Sequence, residues 1–202
     1  REGGKFYATK DGLITLGGRG GIKVESKYIH EGDLKSAEGV LDFKGGAVTI
    51  NGDIDSGAKV ISEQDLTVNG NIRSGFIVCR GRLIVKGGII TAHTGQITCS
   101  GDIQASFIEN SDIYCDGNIV VKKAIIGSNI FVSDGIKVED TTGVVKGGTI
   151  SFWSSFKVSN IGYQNGSVTN IYVGYRWRLQ QRLKTVKNRI ERFTEIYKKD
   201  RK

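Results

Sequence analysis

Residues 97–119 read ITCSGDIQASFIENSDIYCDGNI and contain two copies of one seven-residue pattern. The copies are ITCSGDI (97–103) and IYCDGNI (113–119), and both have isoleucine, cysteine, glycine and isoleucine at alternate positions. Alternate residues of a β-strand lie on the same face. We therefore expect these four positions to face a core and the polar residues between them to face water.

The same pattern recurs in five blocks along the chain. The blocks begin at Val60, Ile77, Ile97, Ile113 and Ile130, which are 17, 20, 16 and 17 residues apart. We expect the inward series of the third block to continue through Phe107. Lys123 interrupts the series of the fourth block, and we expect it at a corner of the chain.

Three architectures could have this period. Antiparallel hairpins would not keep the same residue type at equivalent positions in every block, and a left-handed hexapeptide helix would repeat strictly every six residues. Coils of variable length with three short strands each are typical of a parallel β-solenoid, with glycines at the corners. The sequence therefore predicts an all-β fold, a right-handed parallel β-helix of about seven coils, with a helix after it.

The three cysteines hold the same position in consecutive blocks. The template places Cys79, Cys99 and Cys115 in one inward column, which Ser62 and Val132 continue on either side. Their spacings of 20 and 16 residues match no zinc-binding pattern, and the sequence has no Cys-x-x-Cys. We interpret them as small core residues and expect no metal, cofactor or redox site. Free thiols also suit a reducing, cytoplasmic compartment.

Composition and charge narrow the classes of protein. The 202 residues include 29 glycines but no proline, which excludes collagen, and no apolar run approaches the roughly 20 residues of a membrane span. The net charge of +8 lies entirely in the tail: residues 1–174 have 18 basic and 18 acidic residues, whereas residues 175–202 have 11 and 3. Only the tail could therefore bind a polyanion by its net charge.

The chain divides into three predicted regions. Residues 1–38 do not follow the template and are expected to form an N-terminal cap of short β pieces, residues 39–174 the parallel solenoid, and residues 175–202 a basic helix. Nine of the 17 aromatic residues lie between 152 and 197. We expect those near residues 152–177, Tyr163 and Trp177 among them, to plug the last coil and dock the tail.

The tail has an apolar series with helical spacing. Its members are four or three residues apart, as in the seam of a coiled coil: Leu179, Leu183, Val186, Ile190, Phe193 and Tyr197. The flanking positions are mostly basic, so a parallel homodimer of this segment would be repelled. An acidic partner helix would suit the seam better.

Several segments carry a resemblance to a known family. They are GVLDFKGGAVTINGDI (39–54), the Gly-Asp-Ile blocks, GVVKGGTI (143–150) and TNIYVG (169–174). In order, these segments resemble the β-solenoid domain of the bacterial flagellar assembly protein A family. The resemblance implies a cytoplasmic, non-enzymatic protein of flagellar assembly with a coiled coil after the solenoid. A weaker likeness is to the C-terminal β-helix of the bacterial division-site inhibitor that partners a membrane ATPase.

The candidate catalytic residues do not form a site in the sequence. Asp65 and Asp102 share a template position, but Arg82 lies between them and Asn118 follows, so there is no acidic ladder of the glycosidase kind. The two histidines, at 30 and 93, are not near a Ser or Cys motif. We expect a structural scaffold with protein partners of unknown identity. The tail could also join copies of the chain. The alternative functions are a division-site regulator that binds a membrane-associated ATPase and, less favoured, nucleic-acid binding by the tail.

Overall fold

Short strands follow one another along the body of the chain and stack in parallel on the strands of the previous turn. A computed structural model describes residues 13–16, 22–162 and 166–199. It is a parallel β-solenoid of about eight turns with one C-terminal helix, which confirms the predicted fold class.

The elements run in the following order. The strands are β1 (Leu13–Leu16), β2 (Ile22–Glu25), β3 (Lys27–His30), β4 (Val40–Phe43), β5 (Ala47–Ile50), β6 (Lys59–Ser62), β7 (Leu66–Val68), β8 (Ile72–Arg73), β9 (Phe76–Cys79), β10 (Leu83–Val85), β11 (Gly88–Ile90), β12 (Gln96–Cys99), β13 (Ile103–Glu109), β14 (Asp112–Cys115), β15 (Ile119–Val132), β16 (Ile136–Val138), β17 (Val144–Phe152), β18 (Phe156–Lys157), β19 (Asn160–Ile161) and β20 (Thr169–Val173), with a 3-10 turn at Ser36–Glu38 and the helix α1 (Trp177–Lys199).

Each turn has three sides, and equivalent residues pair in register from turn to turn. Side A has the inward column Val48, Leu66, Leu83, Ile103, Ile119 and Ile136. Side B has the inward column Ile54, Ile72, Ile89, Ile108, Ile125 and Val145. Side C has the inward column Val60, Ile77, Ile97, Ile113, Ile130 and Ile150. All of these side chains are buried and form one continuous apolar core. Burial of each contributes about 1.5–3 kcal/mol relative to exposure.

The corner between sides A and B explains the Gly-Asp-Ile motif. The Asp53 Oδ1 atom accepts the backbone N–H of Asn71 at 2.7 Å, and Asn71 Oδ1 accepts the N–H of Gly88 at 2.8 Å. A Cβ on Gly70 would lie 2.1 Å from Asp53 Oδ1, so only glycine leaves room for that oxygen. The acidic or amide side chain of one turn thus accepts a hydrogen bond from the backbone of the next turn. The glycine that precedes the equivalent residue of that next turn leaves room for this bond.

The corner between sides C and A repeats this arrangement. Asp65 Oδ1 accepts the N–H of Arg82 at 2.8 Å, Asp102 Oδ1 accepts that of Asn118 at 2.7 Å, and Asn118 Oδ1 accepts that of Gly135 at 3.1 Å. The shared template position of Asp65 and Asp102 therefore has a structural use. It satisfies backbone N–H groups where the chain turns and the sheet ladder is interrupted.

The solenoid begins earlier in the chain than residue 39. Strand β3 pairs in parallel with β5, with Tyr28 opposite Val48, and Leu34 forms a parallel bridge with Ile54. This added turn is why the structure has about eight turns where we expected about seven. Within the segment assigned to a cap, β1 and β2 pair antiparallel with each other.

The inward series of the third block changes register after Ala105, so the expectation for Phe107 is wrong. Ile108 is the buried residue, opposite Ile89, and Phe107 pairs with Gly88. A Cβ on Gly88 would lie 2.2 Å from Phe107 Cζ, so the ring covers the outer side of that glycine. In the next turn the pairing skips Lys122 and Lys123, and both side chains are exposed there.

Replacing the corner glycine Gly117 by alanine should destabilise the solenoid. The added Cβ would lie 2.4 Å from Asp102 Oδ1 and 2.8 Å from the Gly101 carbonyl carbon, and the crowding should lower the free energy of unfolding by about 1–3 kcal/mol. Urea denaturation followed by circular dichroism measures the change. Ser100→Ala, at an exposed position nearby, should stay within about 0.5 kcal/mol of the parent. Equal stability of Gly117→Ala and the parent would contradict this account of the motif.

Asp65→Asn should change how stability depends on pH. The backbone N–H and the guanidinium of Arg82 bind the Asp65 carboxylate and lower its pKa from the ordinary 3.8, although burial opposes the shift. A lowered native pKa contributes stability above the unfolded value of 3.8, and that contribution is lost as the pH falls through the native value. The asparagine keeps the Oδ1 acceptor but loses the charge.

The difference in unfolding free energy between parent and Asp65→Asn should therefore be largest above about pH 4 and should shrink towards zero below it. Because Arg82 is well exposed, solvent screening should keep this plateau small. Urea titrations at several pH values measure the difference. A gap that widens as the pH falls would show that the ion pair with Arg82 does not favour the folded state.

Candidate functional site

The cysteine column lies in the core on side C. Cys79 pairs in register with Cys99, and Cys99 with Cys115. Ser62 comes before the column and Val132 after it, each in register with its neighbour. None of these five side chains has a relative exposure above 1%.

The thiols bond to backbone carbonyl groups rather than to solvent. Cys79 Sγ lies 3.4 Å from the Gln64 and Arg82 oxygens, and Cys99 Sγ lies 3.2 Å from the Gly81 oxygen. The adjoining Cys99 thiol and burial together raise the pKa of the Cys79 and Cys115 thiols. Within the described ranges, no group of three or more His, Cys, Asp or Glu side chains could hold a metal ion.

The histidines contact main-chain and acidic groups of the solenoid. The two ring nitrogens of His93 lie 3.1 Å from Asp112 Oδ1 and 2.9 Å from the Gly127 carbonyl oxygen, so this side chain bridges three successive turns. His30 lies 3.3 Å from the Asp33 carbonyl oxygen. The His93 contacts therefore tie neighbouring turns together, whereas the His30 contact is local to one turn.

Trp177, the first residue of α1, joins the helix to the solenoid. Its side chain is 5% exposed, and its Nε1–H donates to the Cys115 carbonyl oxygen at 3.1 Å. The indole packs at an angle on Tyr114, with ring centroids 5.3 Å apart, and Tyr114 stacks on Phe131. Tyr175 contacts Phe131 from the other side. The outward face of side C therefore holds the start of the helix.

Two arginines beside Trp177 complete this junction. Arg178 makes a two-armed ion pair with Asp116, which lies next to the carbonyl that Trp177 bonds. The Arg176 guanidinium lies 3.9 Å from the centre of the Trp153 ring, a favourable cation–π contact. Trp177, Arg178 and Arg176 together bring one end of the helix against the solenoid.

Beyond this junction the apolar seam of α1 is exposed among the described residues. The exposed fractions of its six predicted members are 51% for Leu179, 46% for Leu183, 53% for Val186, 58% for Ile190, 62% for Phe193 and 58% for Tyr197. A seam of this spacing normally packs against another helix. The described part of the chain supplies none, so the seam is the candidate site for binding a partner.

Sequence reasoning missed where the tail docks. We expected the tail aromatics to plug the last coil, and Phe152 is indeed buried and stacked on Phe156 there. Trp177 instead lies against Tyr114, on the flank of the solenoid, while Tyr163 lies outside the described residues. A signal was present, because Tyr114 and Phe131 hold the same outward position in adjacent blocks. Nothing in the sequence links that pair to a tryptophan so far along the chain.

These features define a parallel β-solenoid with a helix projecting from its flank. Residues 26–201 match the family described as the Flagellar Assembly Protein A beta solenoid domain, and the chain belongs to this family. The match confirms the family resemblance that the repeated segments indicated. Neither the curated proteins nor the solved structures gave a match. No helix among the described residues is both long and apolar enough to cross a membrane.

The three cysteines should not react with a thiol reagent in the native protein. Their sulfur atoms are buried in the core and bond to carbonyl groups, so a disulfide reagent such as Ellman's reagent should modify none of them until the solenoid unfolds. Absorbance of the released thiolate, read with and without a denaturant, counts the reactive thiols. Rapid modification of Cys99, the middle member, under native conditions would contradict the buried column.

Proposed function

We propose that this chain is a non-enzymatic scaffold of bacterial flagellar assembly, located in the cytoplasm. In this proposal the solenoid is a rigid body that holds one end of α1, and the seam of α1 pairs with a second helix. The family description supports the link to flagellar assembly. The three free thiols suit a reducing compartment.

The exposed seam carries the proposal. Helix α1 has 23 residues, about 35 Å in length, and its apolar side chains recur along one stripe. An isolated helix has little stability of its own in water, and most helical stability in proteins comes from packing of the apolar stripe. Pairing with a second helix would bury the six seam residues and stabilise α1.

The solenoid suits the role of a rigid support. Its turns are joined by main-chain hydrogen bonds on three sides, and its core is a continuous stack of branched apolar side chains. The junction at Trp177 and Arg178 transmits this rigidity to the first turn of α1. Apolar residues at exposed positions on side C, Phe76 and Val78, offer a second surface that a protein partner could contact.

Negative charges in the seam should abolish pairing and impair flagellar assembly. In the parent bacterium, Leu183→Glu with Ile190→Glu should reduce swimming to the level of a strain lacking the gene, because two charges in the seam prevent a second helix from packing. Gln181→Glu with Asn188→Glu adds the same charge on the opposite, exposed face of α1, and should swim like the parent. Swimming in soft agar and flagella counted by electron microscopy are the measurements.

The variants must be present at the parent's level, which an immunoblot checks. Normal flagella in the strain lacking the gene would refute the role in flagellar assembly. Normal flagella in the Leu183→Glu and Ile190→Glu variant alone would refute the role of the seam.

A further inference from the structure

The residues beside the seam carry one sign of charge. The 4–3 spacing puts the seam residues at the a and d positions of a heptad, with Leu183 and Ile190 at a. The positions that flank the seam are then Gln180, Lys187 and Thr194 at e, and Arg182, Arg189 and Ile196 at g. Three of these six flanking positions are basic and none is acidic. We infer that the partner of α1 is a helix with acidic residues beside its own seam, and not a second copy of this chain. This inference rests on the proposed pairing of the seam.

Pairing of two copies would bring like charges together in either orientation. In a parallel pair, a g residue faces the e residue of the next heptad, so Arg182 of each copy faces Lys187 of the other. In an antiparallel pair, g positions face g positions, and Arg182 and Arg189 meet each other. Each like-charged pair is destabilising, and acidic flanks on a different partner would replace the repulsion by attraction.

The basic residues at the base of the helix interact with solenoid side chains, whereas those beside the seam have no ion-pair partner in the described part of the chain. Arg178 is paired with Asp116, and Arg176 lies over Trp153. Arg182, Lys187 and Arg189 are exposed, and no acidic side chain in the described part of the chain forms an ion pair with them. Their charges are therefore available to a partner.

The first turn of α1 lies beside a groove on the surface of the solenoid. Leu179 and Arg182 line a surface groove together with Ser133, Trp153, Arg176 and Arg178. Trp153 is 44% exposed there, which gives the groove an apolar floor beside arginine side chains. A partner helix that reaches the base of α1 would contact the solenoid as well as the seam, with a carboxylate beside Arg182.

Two synthetic peptides test the sign of the partner's charge. Both have about four heptads with isoleucine at a and leucine at d; one has glutamate at every e and g position and the other has lysine. Fluorescence anisotropy of the labelled peptides measures their affinity for this chain. The glutamate peptide should bind at least about tenfold more tightly, a difference of about 1.4 kcal/mol. The preference should weaken as NaCl rises from about 50 mM to about 500 mM, because salt screens exposed charges.

Charge-reversal variants of α1 show which basic residues cause the preference for the glutamate peptide. Arg182→Glu with Arg189→Glu should invert the preference in favour of the lysine peptide. Lys184→Glu with Arg192→Glu makes the same change of charge away from the seam, and it should leave the glutamate peptide preferred. Circular dichroism confirms that both variants keep the solenoid and the helix.

Three outcomes would overturn the inference. The first is equal binding of the two peptides. The second is dimerisation of this chain in sedimentation experiments that Leu183→Glu with Ile190→Glu abolishes and the glutamate peptide does not displace, because the partner would then be a second copy. The third is tighter binding to duplex RNA or to vesicles with anionic lipid than to the glutamate peptide. If neither peptide binds and the seam variant behaves like the parent in every assay, the proposed pairing fails as well.

Discussion

Each turn of the solenoid is hydrogen-bonded to the next through the main chain, so a residue in a paired strand must stand over its equivalent one turn earlier. This register determines what the side chains can be. Inward columns such as Ile54, Ile72, Ile89 and Ile108 repeat a branched apolar residue because each member packs on the one below. At the corners, where the ladder is interrupted, Asp53 and Asn71 replace the missing backbone acceptor with a side-chain oxygen. Glycine precedes each of them because a side chain there would occupy the space of the acceptor oxygen one turn earlier.

The same register explains why so much of the fold was predictable. Equivalent residues recur at nearly constant spacing, so the alternation around Cys79, Cys99 and Cys115 indicated both the strands and their inward face. Prediction failed where the spacing is locally irregular. Between Ala105 and the next buried residue, the chain is shorter than the corresponding segment of the following turn. Simple alternation from Ala105 therefore points to Phe107, which is not the buried residue. Periodicity within one block cannot show such a shift, because it is a property of two adjacent turns.

The candidate site was predictable only in part. The residues of the seam follow from their 4–3 spacing alone, and the helix α1 includes them all. The docking of Trp177 on Tyr114 and the ion pair of Arg178 with Asp116 join residues far apart in the sequence. These contacts depend on the three-dimensional path of the chain after β20, and no local pattern encodes that path. Only these contacts show that Arg178, at the base of the helix, is paired with an acidic side chain, whereas the basic residues beside the seam have no ion-pair partner among the described residues.

The position of Trp177 has a mechanical consequence. Its indole bonds to Cys115, although three further strands of side C, ending in β20, lie between that residue and the helix in the chain. The helix thus branches from the middle of the cylinder and does not extend it. A force applied to the helix would act first on the Trp177 indole contact and on the Arg178–Asp116 ion pair. The last turns, with Phe152 in their core, would be put under tension only after these two contacts had broken.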